Sequence, residues 1–149
     1  MENNWKLTRI MVAVKDLDEA VKRHESIGIT GFSDEEILDR TTYYTKLETS
    51  RPGDSTASIK LRTARLDSLD YELLQPLSGD SFQKEFLDNR GEAVVNLSYN
   101  VEDLEAEKAK LIEAGIPVIL TAETDRYSIG IFNTCKVSTF YTQLIQLKK

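Results

Sequence analysis

Two stretches of the chain repeat each other at a fixed spacing, and that repeat restricts the fold more than any single residue. Val14-Lys15-Asp16-Leu17 matches Val101-Glu102-Asp103-Leu104, and Gly28-Ile29 matches Gly115-Ile116, both pairs 87 positions apart (101 − 14 = 87; 115 − 28 = 87). Each copy reads as a hydrophobic strand, a helix opened by Asp, and a Gly-Ile exit toward another strand. Recurrence of this kind means one supersecondary unit used twice. The offset also pairs residues across the copies, setting Arg9 against Asn96 (96 − 9 = 87).

The first copy opens on Leu7 to Val14, where Ile10, Val12 and Val14 alternate with Arg9, Met11 and Ala13, the period of a strand. Asp16 offers an N-cap oxygen and Glu19 completes a capping box. Leu17, Ala20, Val21, His24 and Ile27 form a helical stripe, and Gly28 permits a left-handed exit. Further strands are predicted over Thr41–Leu47, Ser58–Ala64 and Leu69–Leu74, with turns at Arg51–Ser55 and Leu66–Ser68. A linker helix follows, capped by Asp80 with Gln83 at the capping-box position, its apolar side Phe82, Phe86 and Leu87, ending at Gly91. The second copy reads as a strand over Ala93–Val101, a helix over Asp103–Ala114, and strands over Pro117–Leu120, Tyr127–Phe132 and Val137–Leu147.

The order is therefore βαβββ, linker helix, βαβββ, in one α+β domain over residues 1–149. Module one covers about 5–77, the linker helix about 80–90 and module two about 92–149. Alternating strands backed by one helix per module leave the second sheet face bare. Two such modules joined edge to edge curl that face into a mixed-sheet cup with helices outside. Ile10, Val12, Val14, Val95, Leu97 and Val101 then face the helices, while Arg9, Asn96 and Ser98 face the cup, where convergent polar groups make a ligand site.

Composition narrows the function. A chain of 149 residues buries roughly 68–70% of its unfolded surface and needs no staple. The single Cys135 excludes an internal disulfide, and no paired metal-binding Cys motif occurs. No leader pattern and no run of about 18 apolar residues is present, so a cytoplasmic protein without membrane contact is expected. The net charge of −6 argues against nucleic acid as a partner, because such binding needs surplus Lys and Arg.

Ala13-Val14-Lys15-Asp16-Leu17-Asp18-Glu19-Ala20, Tyr71-Glu72-Leu73-Leu74-Gln75-Pro76-Leu77, and Phe86-Leu87 through Arg90-Gly91-Glu92 carry a family resemblance. With the paired βαβββ plan, they make the chain resemble the vicinal oxygen chelate superfamily, which includes glyoxalase I, bleomycin-resistance proteins and extradiol dioxygenases. Within it the pattern is most similar to methylmalonyl-CoA epimerase. Similarity is weakest over Ile29–Arg65, where this chain carries extra residues.

The resemblance implies four metal-ligand places on the cup floor, and they fall on Arg9, Glu72, Asn96 and Gln143. Only Glu72 is a normal ligand there. A guanidinium has five donors and no acceptor, and Asn96 and Gln143 offer only neutral amide oxygens. The expectation is that the family metal is absent, that no other cofactor replaces it, and that Arg9 supplies the positive charge. Its fork is expected to hold Glu72, with Asn96 and Gln143 completing the network. His24, the single histidine, is expected to pack at the core boundary outside the cup. Lys60, Arg62, Tyr43, Tyr44, Tyr99, Tyr141, Glu48 and the Glu35, Glu36, Asp39 run are weaker site candidates, with solvated or packing roles as the default.

Epimerisation needs proton-moving groups on two faces of one carbon, and the eighth-strand carboxylate that the resemblance implies is here Gln143, which cannot serve. The first expectation is accordingly a metal-free protein that binds a small anionic organic molecule or acyl thioester. The alternative is a divergent metal-independent epimerase, isomerase or lyase with Arg9 as electrophile and a base from the Ile29–Leu47 region. A structural dimer without a ligand is the third. The resemblance also implies a homodimer.

Overall fold

The computed structural model of the chain describes residues 3–149. Its strands are β1 (Lys6–Ala13), β2 (Glu36–Asp39), β3 (Lys46–Thr49), β4 (Ser58–Leu66), β5 (Leu69–Ser78), β6 (Ala93–Asn100), β7 (Val118–Glu123), β8 (Tyr127–Phe132) and β9 (Tyr141–Leu147). Between them lie α1 (Leu17–Ser26), α2 (Arg40–Tyr43), α3 (Phe82–Arg90), α4 (Leu104–Glu113) and α5 (Cys135–Ser138), with one 3₁₀ turn at Pro52–Ser55. All nine strands belong to one mixed sheet ordered β2-β4-β5-β1-β6-β9-β8-β7-β3. This is the α+β mixed sheet that the paired modules imply. Among the described residues no helix is long and apolar enough to cross a membrane.

The repeat governs the centre of that sheet. β1 and β6 pair antiparallel, with Ile10 opposite Leu97, two residues that are themselves equivalent (97 − 10 = 87). A pseudo-twofold axis passes through this pair, so Lys6↔Asn100 mirrors Ala13↔Ala93, and Arg9↔Ser98 mirrors Met11↔Asn96. On either side each module pairs its first and last strands in parallel, β1 with β5 and β6 with β9.

The helix starts repeat as well. Asp16 accepts from Glu19 N–H, and Asp103 accepts from Ala106 N–H. Gln75 Oε1 takes the Leu17 N–H at 2.8 Å, and Gln146 Oε1 takes the Leu104 N–H at the same distance. Each helix is thereby tied to its own module's last strand through a backbone donor that an isolated helix would leave unpaired. α1 packs through Leu17, Ala20 and Val21 on Val14 and Leu73, and α4 through Leu104 on Phe132 and Leu144, both on the outer face. α3 instead joins the large cluster on the cavity side, with Phe82, Phe86 and Leu87 among Met11, Leu61, Ile131 and Ile145; Val95, expected to face the outer helices, belongs there too.

The predicted elements hold except between residues 30 and 57 and near two ends. The strand expected over Thr41–Leu47 is a helical turn (α2) followed by β3, and the preceding charge run contains β2. β2 pairs with β4 on module one, whereas β3 pairs with β7 on module two. Two successive strands thus occupy opposite edges of the sheet. Asp39 accepts from Thr41 N–H and Oγ1–H, which starts a helical turn where a strand was expected. Ser81, not Asp80, caps α3. The last predicted strand is shortened to Tyr141–Leu147 because Cys135–Ser138 form a turn of helix ended by Thr139 at φ 77°.

A buried ionic network fixes the segment that crosses between the edges. Arg40 is buried and donates from Nη1 to Asp54 Oδ1 at 2.6 Å and to Asp54 O at 3.0 Å. Its Nη2 donates to Gln83 Oε1 at 2.6 Å, and the guanidinium lies over the Phe82 ring. Asp54, fully buried, also accepts from Phe82 N–H at 2.7 Å and pairs with Arg51 at 3.2 Å. Deleting one member of a buried pair strands the other charge, at a typical cost of about 3–5 kcal/mol. Asp54→Ala is expected to lose stability in that range by urea denaturation, whereas Arg40→Met with Asp54→Leu recovers much of it. A loss below about 1 kcal/mol for Asp54→Ala would show that the network contributes little.

Candidate functional site

The curled sheet and the crossing segment enclose a cavity of about 470 Å³. Arg9 and Met11 reach it from β1, Glu72 and Asp70 from β5, Gln143 and Ile145 from β9, and Tyr43 and Tyr44 from the crossing segment. Of the four floor residues expected from the sequence, Arg9, Glu72 and Gln143 line this space. Asn96 is fully buried with its Nδ2 on Met11 Sδ (2.9 Å) and Ser98 Oγ (3.3 Å), and it does not line the cavity.

The expected Arg9–Glu72 fork does not form. Arg9 Nη2 lies 3.7 Å from Asp70 Oδ2, and no ion pair joins Arg9 to Glu72 among the described residues. Strand register is the reason: parallel pairing sets Arg9 directly opposite Asp70 and puts Met11 opposite Glu72. Asp70 is shared with Arg65 at 2.9 Å. Three buried polar atoms lack protein partners among the described residues: Arg9 Nε, Glu72 Oε2 and Asn96 Oδ1.

Glu72 is only 4% exposed. Burial raises its carboxyl above the ordinary value of 4.5, and the nearby Arg9 charge offsets only part of that; Asp70 and Glu36 add to the rise, while the Thr63 hydroxyl opposes it. Burial likewise pushes the Tyr44 phenol up to about 12, leaving it a neutral hydroxyl at physiological pH.

Several cavity residues escaped the sequence reading. Tyr127 on β8 meets Tyr43 with the two hydroxyls 2.9 Å apart. Arg40, Gln83 and Leu120 also line the space. A charge run hid Arg40, and Gln83 resembled a capping residue. The weaker candidates separate cleanly. Tyr99 packs on Trp5 and Tyr141 on Phe82. Lys60 pairs with Glu35, and Arg62 Nε donates to Ser33 O. Asp39 caps α2, Glu48 lies outside the cavity, and Glu36 lines it. His24 bonds Ala20 O and the Tyr71 hydroxyl beside α1, outside the cup as expected. Cys135 is partly buried, and burial pushes its thiol up, away from a reactive thiolate.

Comparison with known proteins places this arrangement. The sequence matches the family model of the Glyoxalase/Bleomycin resistance protein/Dioxygenase superfamily over residues 8–131. The chain belongs to that superfamily. Among solved structures, a methylmalonyl-CoA epimerase from Mycobacterium tuberculosis superposes with a TM-score of 0.61 at 20% identity, covering 97% of this chain and 89% of that one. A hypothetical protein from Bacillus halodurans C-125 gives 0.65 at 18% identity, covering 99% and 97%. A Streptomyces coelicolor methylmalonyl-CoA epimerase variant, solved in complex with 2-nitronate-propionyl-CoA, gives 0.59 at 18%, covering 97% and 98%. At these identities the likeness concerns the fold. No curated protein matches the chain in sequence.

The raised Glu72 carboxyl has a sign that can be checked. Below its ordinary value Glu72 is protonated in folded and unfolded chains alike and burial costs no ionisation. As pH rises toward its native value the unfolded chain releases the proton first, so stability falls. Glu72→Gln carries no such group. The melting temperature of Glu72→Gln minus that of the parent should grow as pH is raised from about 4 toward neutrality, starting near the ordinary carboxylate range. A difference that stays constant with pH would show that Glu72 ionises as it does in the unfolded chain.

Proposed function

We propose that this protein binds a small anionic organic molecule or acyl thioester in the cup, without a transition metal on its floor. The observation that carries this reading is the cavity itself. Arg9, Glu72 and Gln143 meet in one space, and two of their buried polar atoms have no protein partner. Such atoms are costly to leave unpaired, and a ligand oxygen would satisfy the Arg9 donor.

The donor set supports the metal-free part. Arg9 is a permanent cation with no lone pair to give, Asn96 offers only a neutral amide oxygen and does not line the cavity, and Gln143 is a neutral amide. Glu72 is then the one ordinary ligand among the four family positions, where zinc-like ions require several imidazole, thiolate or carboxylate donors. Among the described residues no group of three His, Cys, Asp or Glu side chains is arranged to hold a metal. Homodimeric assembly belongs to the same reading on the strength of the family resemblance, and a cytoplasmic setting is proposed with it.

One observation favours the enzymatic alternative: Glu36, from the region expected to supply a base, lines the cavity with Arg9. Incubation of methylmalonyl-CoA with the protein in D₂O separates the two. Binding without incorporation of deuterium at the α-carbon supports the first reading, and protein-dependent exchange abolished by Glu36→Gln supports the second.

Binding is tested by calorimetry with a panel of organic acids and acyl-CoA thioesters, alongside metal analysis of the purified protein. Arg9→Met is expected to fold and to weaken carboxylate binding by about 10- to 100-fold, the range for loss of a charged hydrogen bond. One zinc, cobalt or nickel per chain, lost with Glu72→Gln, would overturn the metal-free assignment.

A further inference from the structure

The cavity is chemically lopsided in a way the repeat does not foretell. Its charged lining residues are Arg9, Glu36, Asp70 and Glu72 from module one and Arg40 from α2. Module two, although built on the same plan, contributes no charged side chain. Its lining residues are Leu120, Tyr127, Ile131, Ile145 and Leu147 with the amides of Asn100 and Gln143. Where the first floor has Glu72, its repeat equivalent is Gln143: Met11↔Glu72 corresponds to Ser98↔Gln143 in the parallel strand pairs.

The roof is aromatic. Tyr43 and Tyr44 pack edge to face with centroids 5.0 Å apart, and Tyr43 reaches Tyr127 across the opening. Apolar surface continues to the rim. Ile37, Tyr43 and Leu147, which are 62%, 46% and 60% exposed, all line this cavity. Large apolar side chains gathered at the mouth of a polar-floored cavity mark a surface meant to be covered.

A short dicarboxylic acid would set its second carboxylate among Glu36, Asp70 and Glu72, with Arg40 already held by Asp54, and would leave the other wall, the roof and the rim in water. Resting on the reading that the cup is a ligand site, we propose that its ligand is an amphiphilic acid with a bulky, ring-bearing apolar body. The acid group lies toward Arg9, whose buried Nε–H lacks a partner. The body lies against Leu120, Ile131 and Ile145 beneath Tyr44 and Tyr127, and reaches the rim at Ile37 and Leu147. Aromatic side chains favour such a body through offset or edge contacts in addition to area buried. Tyr44 and the rim residues are thus specificity determinants, and Arg9 is the anchor.

Calorimetry tests this with 4-phenylbutyrate and 2-naphthylacetate against butyrate, methylmalonate and methylmalonyl-CoA. The aromatic acids should bind at least about tenfold more tightly than butyrate, which shares their head group. Tyr44→Ala should erase most of that preference. Because Tyr44 is partly buried, Ile37→Asp and Leu147→Glu provide variants at exposed positions. Each should weaken naphthylacetate by about tenfold while the melting temperature of the free protein stays unchanged. If butyrate or methylmalonate binds as tightly as the aromatic acids, or methylmalonyl-CoA binds and they do not, the amphiphile assignment is overturned while the cup remains a ligand site. If no probe binds, the ligand-site reading itself fails, and this inference with it.

Discussion

The length of the segment joining β2 to β3 is the constraint on which the cavity depends. These consecutive strands form the two outer edges of a nine-stranded sheet. A flat sheet of that size has eight gaps of about 4.8 Å, or roughly 38 Å between its edges. Seven residue steps from Asp39 to Lys46 span at most about 25 Å even when fully extended, and four of the residues are helical. The sheet must therefore curl until its edges approach. The same crossing lays Tyr43 and Tyr44 over the space so enclosed. Curvature, roof and cavity are consequences of one short connection.

That connection is held at its start by the Arg40–Asp54–Gln83 network. A buried ion pair is weak evidence for net stability, since desolvation offsets much of the attraction. Its value here is positional. Asp54 binds the start of α3 through Phe82 N–H while Arg40 opens α2, so the linker helix and the crossing segment share one anchor. At the other end, Thr45 N–H and Oγ1–H both reach Glu123 O, and β3 enters the module-two edge.

Floor chemistry follows from the register of β1 on β5. Parallel pairing gives each side chain its nearest neighbour on the adjoining strand, and Arg9 meets Asp70 there. Glu72 is left buried with only partial compensation, which is why its carboxyl is shifted upward. A cation beside a buried acid is the feature of this floor on which the proposed recognition of an oxygen-bearing group rests. The contrast between charged lining residues from module one and uncharged ones from module two would give such a ligand a direction.

The amino-acid sequence by itself determined the repeat, the two Asp-capped helices, the cavity-facing side of β1 and the pseudo-twofold relation of Arg9 to Asn96, whereas Val95 of β6 took the side opposite to the one expected. These are local or periodic properties: a cap needs only Asp16 and its next few residues, and an 87-residue offset fixes which strands are equivalent. Arg9, Glu72 and Gln143 were legible as cavity residues because alternation fixes the face on which each points. The tertiary structure alone decided the partners. Arg9 chose Asp70 through register, and Asn96 turned its amide to Met11. Tyr127, Arg40 and Gln83 joined the cavity wall because the chain after β2 crosses to the opposite edge of the sheet, laying Arg40 against Gln83 and Tyr43 against Tyr127. That crossing is a long-range choice: pairing of β2 with β4 and of β3 with β7 outweighs local preference.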